Sequence, residues 1–226
     1  MDGPAEVDGP AAQPAEVAGP AGQPAPGPPT RLIIWRHGQT AWNVEDRIQG
    51  QLDIDLDETG VAQARAAAAR LATVRIDAIV SSDLGRVTRT VDELVALTGL
   101  PVRLDRRLRE RNFGEWQGLT GLEVPQRYPE QSVRWRAGEP IGDCGVEELD
   151  ELAKRVTEAL HDAAALAPGG TVVVGTHGAA AKYGVAGLLG WPAAVIRTFG
   201  TLGNCHWTEL RFDRVRGWLL RSHNLS

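Results

Sequence analysis

Two imidazoles in this 226-residue chain stand in matching settings. His37 closes the run Leu32-Ile33-Ile34-Trp35-Arg36-His37-Gly38, and His177 closes Thr171-Val172-Val173-Val174-Gly175-Thr176-His177-Gly178. Imidazole has an ordinary pKa of about 6.5, so near neutral pH much of it is an uncharged nucleophile. Arg36 sets a guanidinium beside the first histidine, and Arg86 follows Ser81-Ser82-Asp83-Leu84-Gly85 at what reads as a helix start. A guanidinium near helix N–H groups suits an anion with several oxygens. Glu110, in Leu108-Arg109-Glu110-Arg111, is the candidate proton carrier. These groups suit transfer of a phosphoryl group, whose charge spreads over three equatorial oxygens. Each short motif alone is weak evidence, so the set must meet in space to count.

That meeting depends on the elements that carry them. Leu32–Ile34, Asp77–Ser82 and Thr171–Thr176 are short, β-branched runs that read as buried strands, with Val102–Leu104 as an edge strand. Helical spacing appears after Asp57 as far as Leu71, from Arg86 to Leu97 with Gly99 as its C-cap, from Glu147 to Leu166, and from Ala179 to Leu189. A further helix starts at Ala41 and runs toward Ile48, where Gln49-Gly50-Gln51 breaks it. Residues 108–145 read as irregular, and His206 to Arg221 as two strands around Asp213 to Gly217. Alternating strands and helices predict an α/β three-layer sandwich, a mostly parallel central sheet flanked by helices. In such a sheet the strand ends share one edge, where ligands bind, so both imidazoles can face one cleft.

Composition narrows the function classes. Residues 1–30 hold eight Pro, five Gly and seven Ala and read as a disordered tail, leaving 31–226 as one catalytic domain. The net charge is −5, and four of the acids lie in that tail. The near-neutral remainder argues against a nucleic-acid partner. No apolar run is long enough for a membrane span and no secretory signal opens the chain, so a cytoplasmic protein is expected. Two cysteines, Cys144 and Cys205, form no metal-type cluster, and no closely spaced ligand pattern points to a metal. His161 and His223 read as solvated, and Arg134 and Arg136 as a solvated face. His206 reads as a core histidine or a pocket wall. Trp116, Tyr128 and Trp135 could form a small lid core or a stack for substrate.

Several separated motifs together resemble the histidine phosphatase superfamily, also called phosphoglycerate mutase-like. They are Arg36-His37-Gly38-Gln39-Thr40, Trp42-Asn43, Gln49-Gly50, Ser81-Ser82-Asp83-Leu84-Gly85-Arg86, Leu108-Arg109-Glu110 with Gly114-Glu115-Trp116-Gln117-Gly118, and His177-Gly178. The resemblance implies that His37 is the phosphorylated nucleophile, that Arg36, Arg86 and His177 bind the phosphate, and that Glu110 is the general acid and base; chemically, two guanidiniums and a protonated His177 would meet the phosphoryl oxygens from different sides. It further implies that Asn43, Gln49, Gly50 and Gly178 line the substrate, and that catalysis needs neither metal nor cofactor.

The same resemblance leaves the reaction to be chosen. Only 66 residues lie between Glu110 and His177, a compactness similar to the phosphatase branch rather than to mutases, which usually carry a longer insertion there. The runs around Gln49, Val80 and Gly114, with Gly203-Asn204 and Trp207, resemble in particular the glucosyl-3-phosphoglycerate phosphatase group. A phosphomonoester hydrolase acting on that or another sugar or glycerate phosphate is therefore expected. A phosphoglycerate mutase, a phosphatase of a specialised metabolite and a catalytically idle binding module are the alternatives. The run Asp143-Cys144-Gly145-Val146-Glu147 and the small residues Ala179-Ala180-Ala181 depart from the family pattern beside the pocket and leave the substrate open, and a homodimer is open as well.

Overall fold

The computed structural model describes residues 30–226, so the stretch expected to be a disordered tail lies outside the described residues, apart from Thr30. In chain order the elements are β1 (Arg31–Arg36), α1 (Ala41–Val44), α2 (Glu58–Leu71), β2 (Ala78–Ser81), α3 (Gly85–Thr98), β3 (Val102–Leu104), α4 (Glu123–Arg127), α5 (Pro129–Ala137), α6 (Leu149–Ala165), β4 (Thr171–Thr176), α7 (Gly178–Leu188), α8 (Ala193–Thr198), β5 (Trp207–Asp213) and β6 (Gly217–Leu225). One six-stranded sheet has the order β3-β2-β4-β1-β5-β6. Strands β1, β2, β3 and β4 are parallel, while β5 runs antiparallel to both β1 and β6.

The pleat of the strands divides the core. Leu32, Ile34, Val80, Val172 and Val174 face one way and pack under α6 and α7. Ile33, Trp35, Ile79 and Val173 face the other way and pack under α2 and α3. The three layers expected from the alternation of strands and helices are therefore present. The carboxyl-terminal ends of β1, β2 and β4 lie along one edge, and the segments leaving them carry every candidate catalytic side chain except Glu110.

Local signals fix several boundaries. The Asp57 carboxylate accepts from Gly60 N at 2.7 Å and caps α2, and Gly99 ends α3 with a left-handed φ of 68°. The helix after Ala41 is shorter than its pattern suggests, because Asp46 takes a positive φ and stops it at Val44. The segment 108–145 is more ordered than expected: it holds α4, α5 and a 3-10 turn at Gly114–Trp116 around a satellite core of Trp116, Leu119, Val124, Ile141, Cys144 and Val146. Trp135 meets Trp116 edge-on with ring centroids 5.6 Å apart, so these aromatics pack a core of their own. Among the described residues no helix is long and apolar enough to cross a membrane.

Strand β4 touches α3 through a residue without a side chain. A Cβ on Gly175 would lie 2.5 Å from Val91 Cγ2 and 3.0 Å from Val87 Cγ1, inside van der Waals contact. Gly175→Ala should therefore lift α3 from the sheet and lower stability by about 1–3 kcal/mol, the usual cost of overpacking. Urea unfolding measures this, and an unchanged midpoint would show that the helix yields freely.

Candidate active site

The parallel register of β1 on β4 pairs Arg36 with Thr176, so the next residue of each strand is a histidine. The ladder continues one rung further, with His37 N donating to Thr176 O at 3.1 Å. The two imidazoles consequently stand 5.3 Å apart, ring edge to ring face. Strand β2 lies on the other side of β4 with Ser81 opposite Gly175, which carries Ser82 to His177. Both rings are buried, at 3% and 0% exposure.

Hydrogen bonds assign the ring nitrogens. His37 Nδ1 lies 2.7 Å from Gly38 O. A carbonyl can only accept, so Nδ1 carries the hydrogen and Nε2 carries the lone pair. His177 Nε2 lies 2.9 Å from Ser82 Oγ, while its Nδ1 is buried without a protein partner. Ser82 Oγ also accepts from Leu84 N at 3.4 Å, and assigning its hydroxyl hydrogen to Nε2, the arrangement that gives that hydrogen an acceptor, puts the ring hydrogen on Nδ1. Burial holds the His37 pKa well below 6.5, helped by the positive charges of Arg36 and Arg86. Burial likewise depresses His177, followed by Arg86 and His37. This direction disfavours the protonated His177 expected from sequence. A neutral ring with hydrogen on Nδ1 is itself a donor, so recognition of an anion does not require that charge.

Arg36 and Arg86 are buried cations held by carbonyls rather than carboxylates. Arg36 Nη1 donates to Leu202 O, and Arg86 donates through Nη1 to Leu52 O at 2.6 Å and through Nη2 to Gly50 O at 2.7 Å. Burial lowers both pKa values, that of Arg86 to about 10, so the guanidinium of Arg86 stays charged at neutral pH. Among the described residues Nε of each has no partner, and with His177 Nδ1 this makes three buried donors of the cluster without a protein acceptor. Donors without a protein partner are the groups that can turn to an acceptor-rich ligand.

Glu110 enters from a different direction. Its Oε1 accepts from Ala180 N at 2.9 Å and Arg111 N at 2.8 Å, and its Oε2 accepts from Ala179 N at 3.0 Å. It therefore caps α7, a position where His177, the N-cap residue, has turned its own side chain to Ser82. Oε1 is saturated and Oε2 retains one lone pair, which makes Oε2 the atom able to hold a proton.

The remaining predicted residues take distinct places. Asn43 Oδ1 receives Thr40 N and Asn204 Nδ2, both at 3.1 Å, which fixes the amide and leaves Nδ2 free of protein partners among the described residues. Gln49 is buried with Oε1 unpartnered. Gly50 turns its carbonyl to Arg86 and has φ +53°, and a Cβ there would strike Gln117. A Cβ on Gly178 would lie 3.6 Å from Arg36 Nε, so this glycine keeps the wall beside that guanidinium thin. Sequence reasoning gave Arg111 no role. It is 3% exposed, donates Nε to Glu147 O at 2.7 Å and lies over the Phe113 ring, with no carboxylate in ion-pair range among the described residues. Its place next to Glu110 in sequence was the available signal. His223, expected to be solvated, instead bonds Thr208 and Gly200 and stacks on Phe199, because β6 folds it back onto β5. Among the described residues no group of three or more His, Cys, Asp and Glu side chains is arranged to hold a metal ion.

A cavity of about 530 Å³, lined by Gln51, Arg109, Asn112, Glu147 and Arg155 among others, lies beside the segment that carries Glu110. None of its lining residues is His37, His177, Arg36 or Arg86, so the chemistry belongs to the histidine cluster and not to this cavity.

Known proteins place this geometry. The family model described as histidine phosphatase superfamily, branch 1, matches residues 32–225. The chain is 40% identical over 212 residues to the glucosyl-3-phosphoglycerate phosphatase of Mycobacterium tuberculosis, covering 87% of this chain and 95% of the relative. It is 34% identical over 201 residues to a probable phosphoglycerate mutase of Yersinia pestis, covering 85% of this chain and 91% of that protein. A solved structure of a mycobacterial glucosyl-3-phosphoglycerate phosphatase in complex with VO3 superposes with a TM-score of 0.78 at 37% identity, covering 87% of this chain and 99% of the other. With the paired histidines, the buried arginines and the expectation from the motifs all in agreement, the chain belongs to the histidine phosphatase superfamily and is a phosphoric monoester hydrolase.

Proposed function

We propose that the chain hydrolyses a small phosphorylated metabolite through a phosphohistidine on Nε2 of His37, with glucosyl-3-phosphoglycerate as the first candidate substrate. The observation that carries this reading is the state of His37. Its Nδ1 hydrogen is spent on Gly38 O, and burial between Arg36 and Arg86 keeps the ring neutral, so a lone pair stands on Nε2. The three unspent donors on Arg36, Arg86 and His177 supply partners for phosphoryl oxygens as charge develops.

In the first step the Nε2 lone pair attacks phosphorus in line, the bond from phosphorus to the ester oxygen breaks, and Glu110 delivers the proton on Oε2 to the departing alkoxide. In the second step a water attacks phosphorus, its proton passes to the Glu110 carboxylate, and the phosphorus–nitrogen bond breaks to release inorganic phosphate and neutral His37. Each turnover thus returns both groups to their starting protonation. Asn43 Nδ2 and Gln49 are further polar groups for the phosphate. Arg111, a buried cation with no carboxylate partner, supports a substrate that carries a second acidic group, as a glycerate does.

A phosphate-release assay with chelator present, run over glucosyl-3-phosphoglycerate, 3-phosphoglycerate and neutral sugar phosphates, tests the reading. The acidic esters should be preferred. Isomerisation that depends on a bisphosphorylated activator, without net phosphate release, would make the chain a mutase instead.

Three further outcomes are expected. Glu110→Gln keeps the carbonyl that caps α7 but carries no proton, so it should slow alkyl phosphates far more than p-nitrophenyl phosphate, whose leaving group barely needs protonation. Equal losses on both would remove Glu110 from the role of acid. Arg86→Ala should lower kcat/KM by on the order of 10² to 10³, as loss of one preorganised donor does, and a rate near wild type would remove Arg86 from the phosphate site. The depressed pKa values of His37 and His177 also bear on stability. Below about pH 6.5 the unfolded chain takes up protons on both rings while the folded chain does not, so stability should fall with acidification by up to about 1.4 kcal/mol per pH unit for each ring. Urea unfolding between about pH 7.5 and 5.5 reads this slope; His177→Asn should make it shallower, and a flat wild-type profile would show that the rings titrate normally.

A further inference from the structure

Glu110 must present one oxygen atom to a leaving group, yet the chain around it has almost no regular structure to hold it. Residues 106–108 form a single 3-10 turn, and residues 109–112 belong to no helix or strand. The main-chain carbonyls there are met by side chains. Leu108 O accepts from Thr176 Oγ1 at 2.8 Å, and the carbonyls of Arg107, Arg109 and Glu110 all accept from one residue, Arg155 of α6.

Arg155 has five N–H donors and all are spent. Nη1 donates to Arg107 O at 2.6 Å and Arg109 O at 2.7 Å, and Nη2 donates to Glu110 O at 2.9 Å and Glu147 Oε2 at 2.8 Å. Nε donates to Glu147 Oε1 at 2.6 Å, closing a two-pronged ion pair. Glu147 extends the clamp to the far side of Glu110: its Oε2 accepts from Asn112 N at 3.0 Å, its N donates to Asn112 O at 2.8 Å, and its O accepts from Arg111 Nε. The pair therefore bonds residues 107, 109, 110, 111 and 112. Outside it, only Gln51 Nε2, at 3.1 Å, reaches the Glu110 carbonyl.

We infer that Arg155, locked by Glu147, is the positioning residue for Glu110, fixing its main chain so that Oε2 is delivered to the ester oxygen. The inference rests on the reading of Glu110 as the proton carrier. Among the described residues Arg155 makes no hydrogen bond to His37, His177, Arg36 or Arg86, and its charge adds only the last of the effects that lower the His177 pKa, so its main influence should fall on the step that needs the acid. A planar fork is required to gather three carbonyls while binding a carboxylate, and Lys, with three donors around a single nitrogen, cannot reproduce it.

The experiment compares kcat/KM for an alkyl phosphate and for p-nitrophenyl phosphate across Arg155→Lys, Glu147→Gln, Glu110→Gln and the double variant Arg155→Lys with Glu110→Gln. Arg155→Lys should lose on the order of 10²-fold on the alkyl ester, within the usual contribution of acid catalysis, and only a few-fold on the aryl ester, mainly in kcat. In the Glu110→Gln background the same change should add little, since there is no longer a proton to position. Glu147→Gln, nearly identical in volume, should show a smaller loss of the same selectivity and keeps the test available if the lysine variant does not fold. An even loss on both esters, no loss on either, or full additivity in the double variant would overturn the inference and leave Arg155 a structural residue. Even losses in Glu110→Gln itself would bring down the acid role first, so the two failures are distinguishable.

Discussion

The site depends on the pairing of Arg36 with Thr176 across two parallel strands. Adjacent strands are about 4.8 Å apart, so a register that aligns the last strand residues must also align whatever follows them. Because both strands continue into His-Gly, this one alignment sets two imidazoles side by side. A slip of one residue would reverse the faces of β1, turning Ile33 and Trp35 into the layer now filled by Leu32 and Ile34. The hydrophobic pattern on both faces of a buried strand therefore guards the geometry of the chemistry. The same pairing on the other side of β4 delivers Ser82 to His177, so the orientation of the second ring is fixed by the sheet as well.

Burial then determines the protonation states. Both imidazoles lie beside cations in a place water hardly reaches, and each effect disfavours imidazolium. On the proposed reading, that keeps the Nε2 lone pair of His37 available for attack. For His177 it means that the donor facing an anion is the N–H of a neutral ring, which can respond to the charge of a bound phosphate without having to carry one beforehand. In the proposed reaction, the donors of Arg36, Arg86 and His177 that lack protein partners among the described residues are the ones that meet the phosphoryl oxygens.

Much of this was legible in sequence wherever the determinant is local. The β-branched runs before His37 and His177, the Asp57 cap and the Gly99 terminus are each written within a few residues of where they act. What was not legible depends on partners far along the chain. Helices α4 and α5 are held by a small core around Trp116 that draws on Ile141 and Val146, and their own sequence shows little periodicity. The tethers of Arg86 are carbonyls, identical for every residue type, so nothing in the letters at Gly50 and Leu52 announces them. His223 reads as a terminal, solvated residue until β6 turns back and gives it Thr208 and Phe199. Glu110 was identifiable as a candidate, but its role as the cap of α7, 68 positions downstream, was not.

The arrangement of arginines shows how a chain of near-neutral composition builds a positive pocket. Arg107, Arg109 and Arg155 each lie within ion-pair distance of a carboxylate, so their charges are matched close at hand. Arg36, Arg86 and Arg111 are tethered instead by carbonyls of Leu202, Gly50, Leu52 and Glu147. A carbonyl orients a guanidinium without cancelling its charge, whereas a carboxylate does both. Two of these carbonyl-held arginines, Arg86 and Arg111, are also nearly fully buried, where the field of an unmatched charge is least screened. The sign of the pocket is therefore set by which acceptor each arginine meets, and not by how many arginines the chain contains. The matched arginines take the other task, and Arg155 is the clearest case: with a two-pronged ion pair to Glu147, its remaining donors gather the neutral carbonyls of residues 107, 109 and 110.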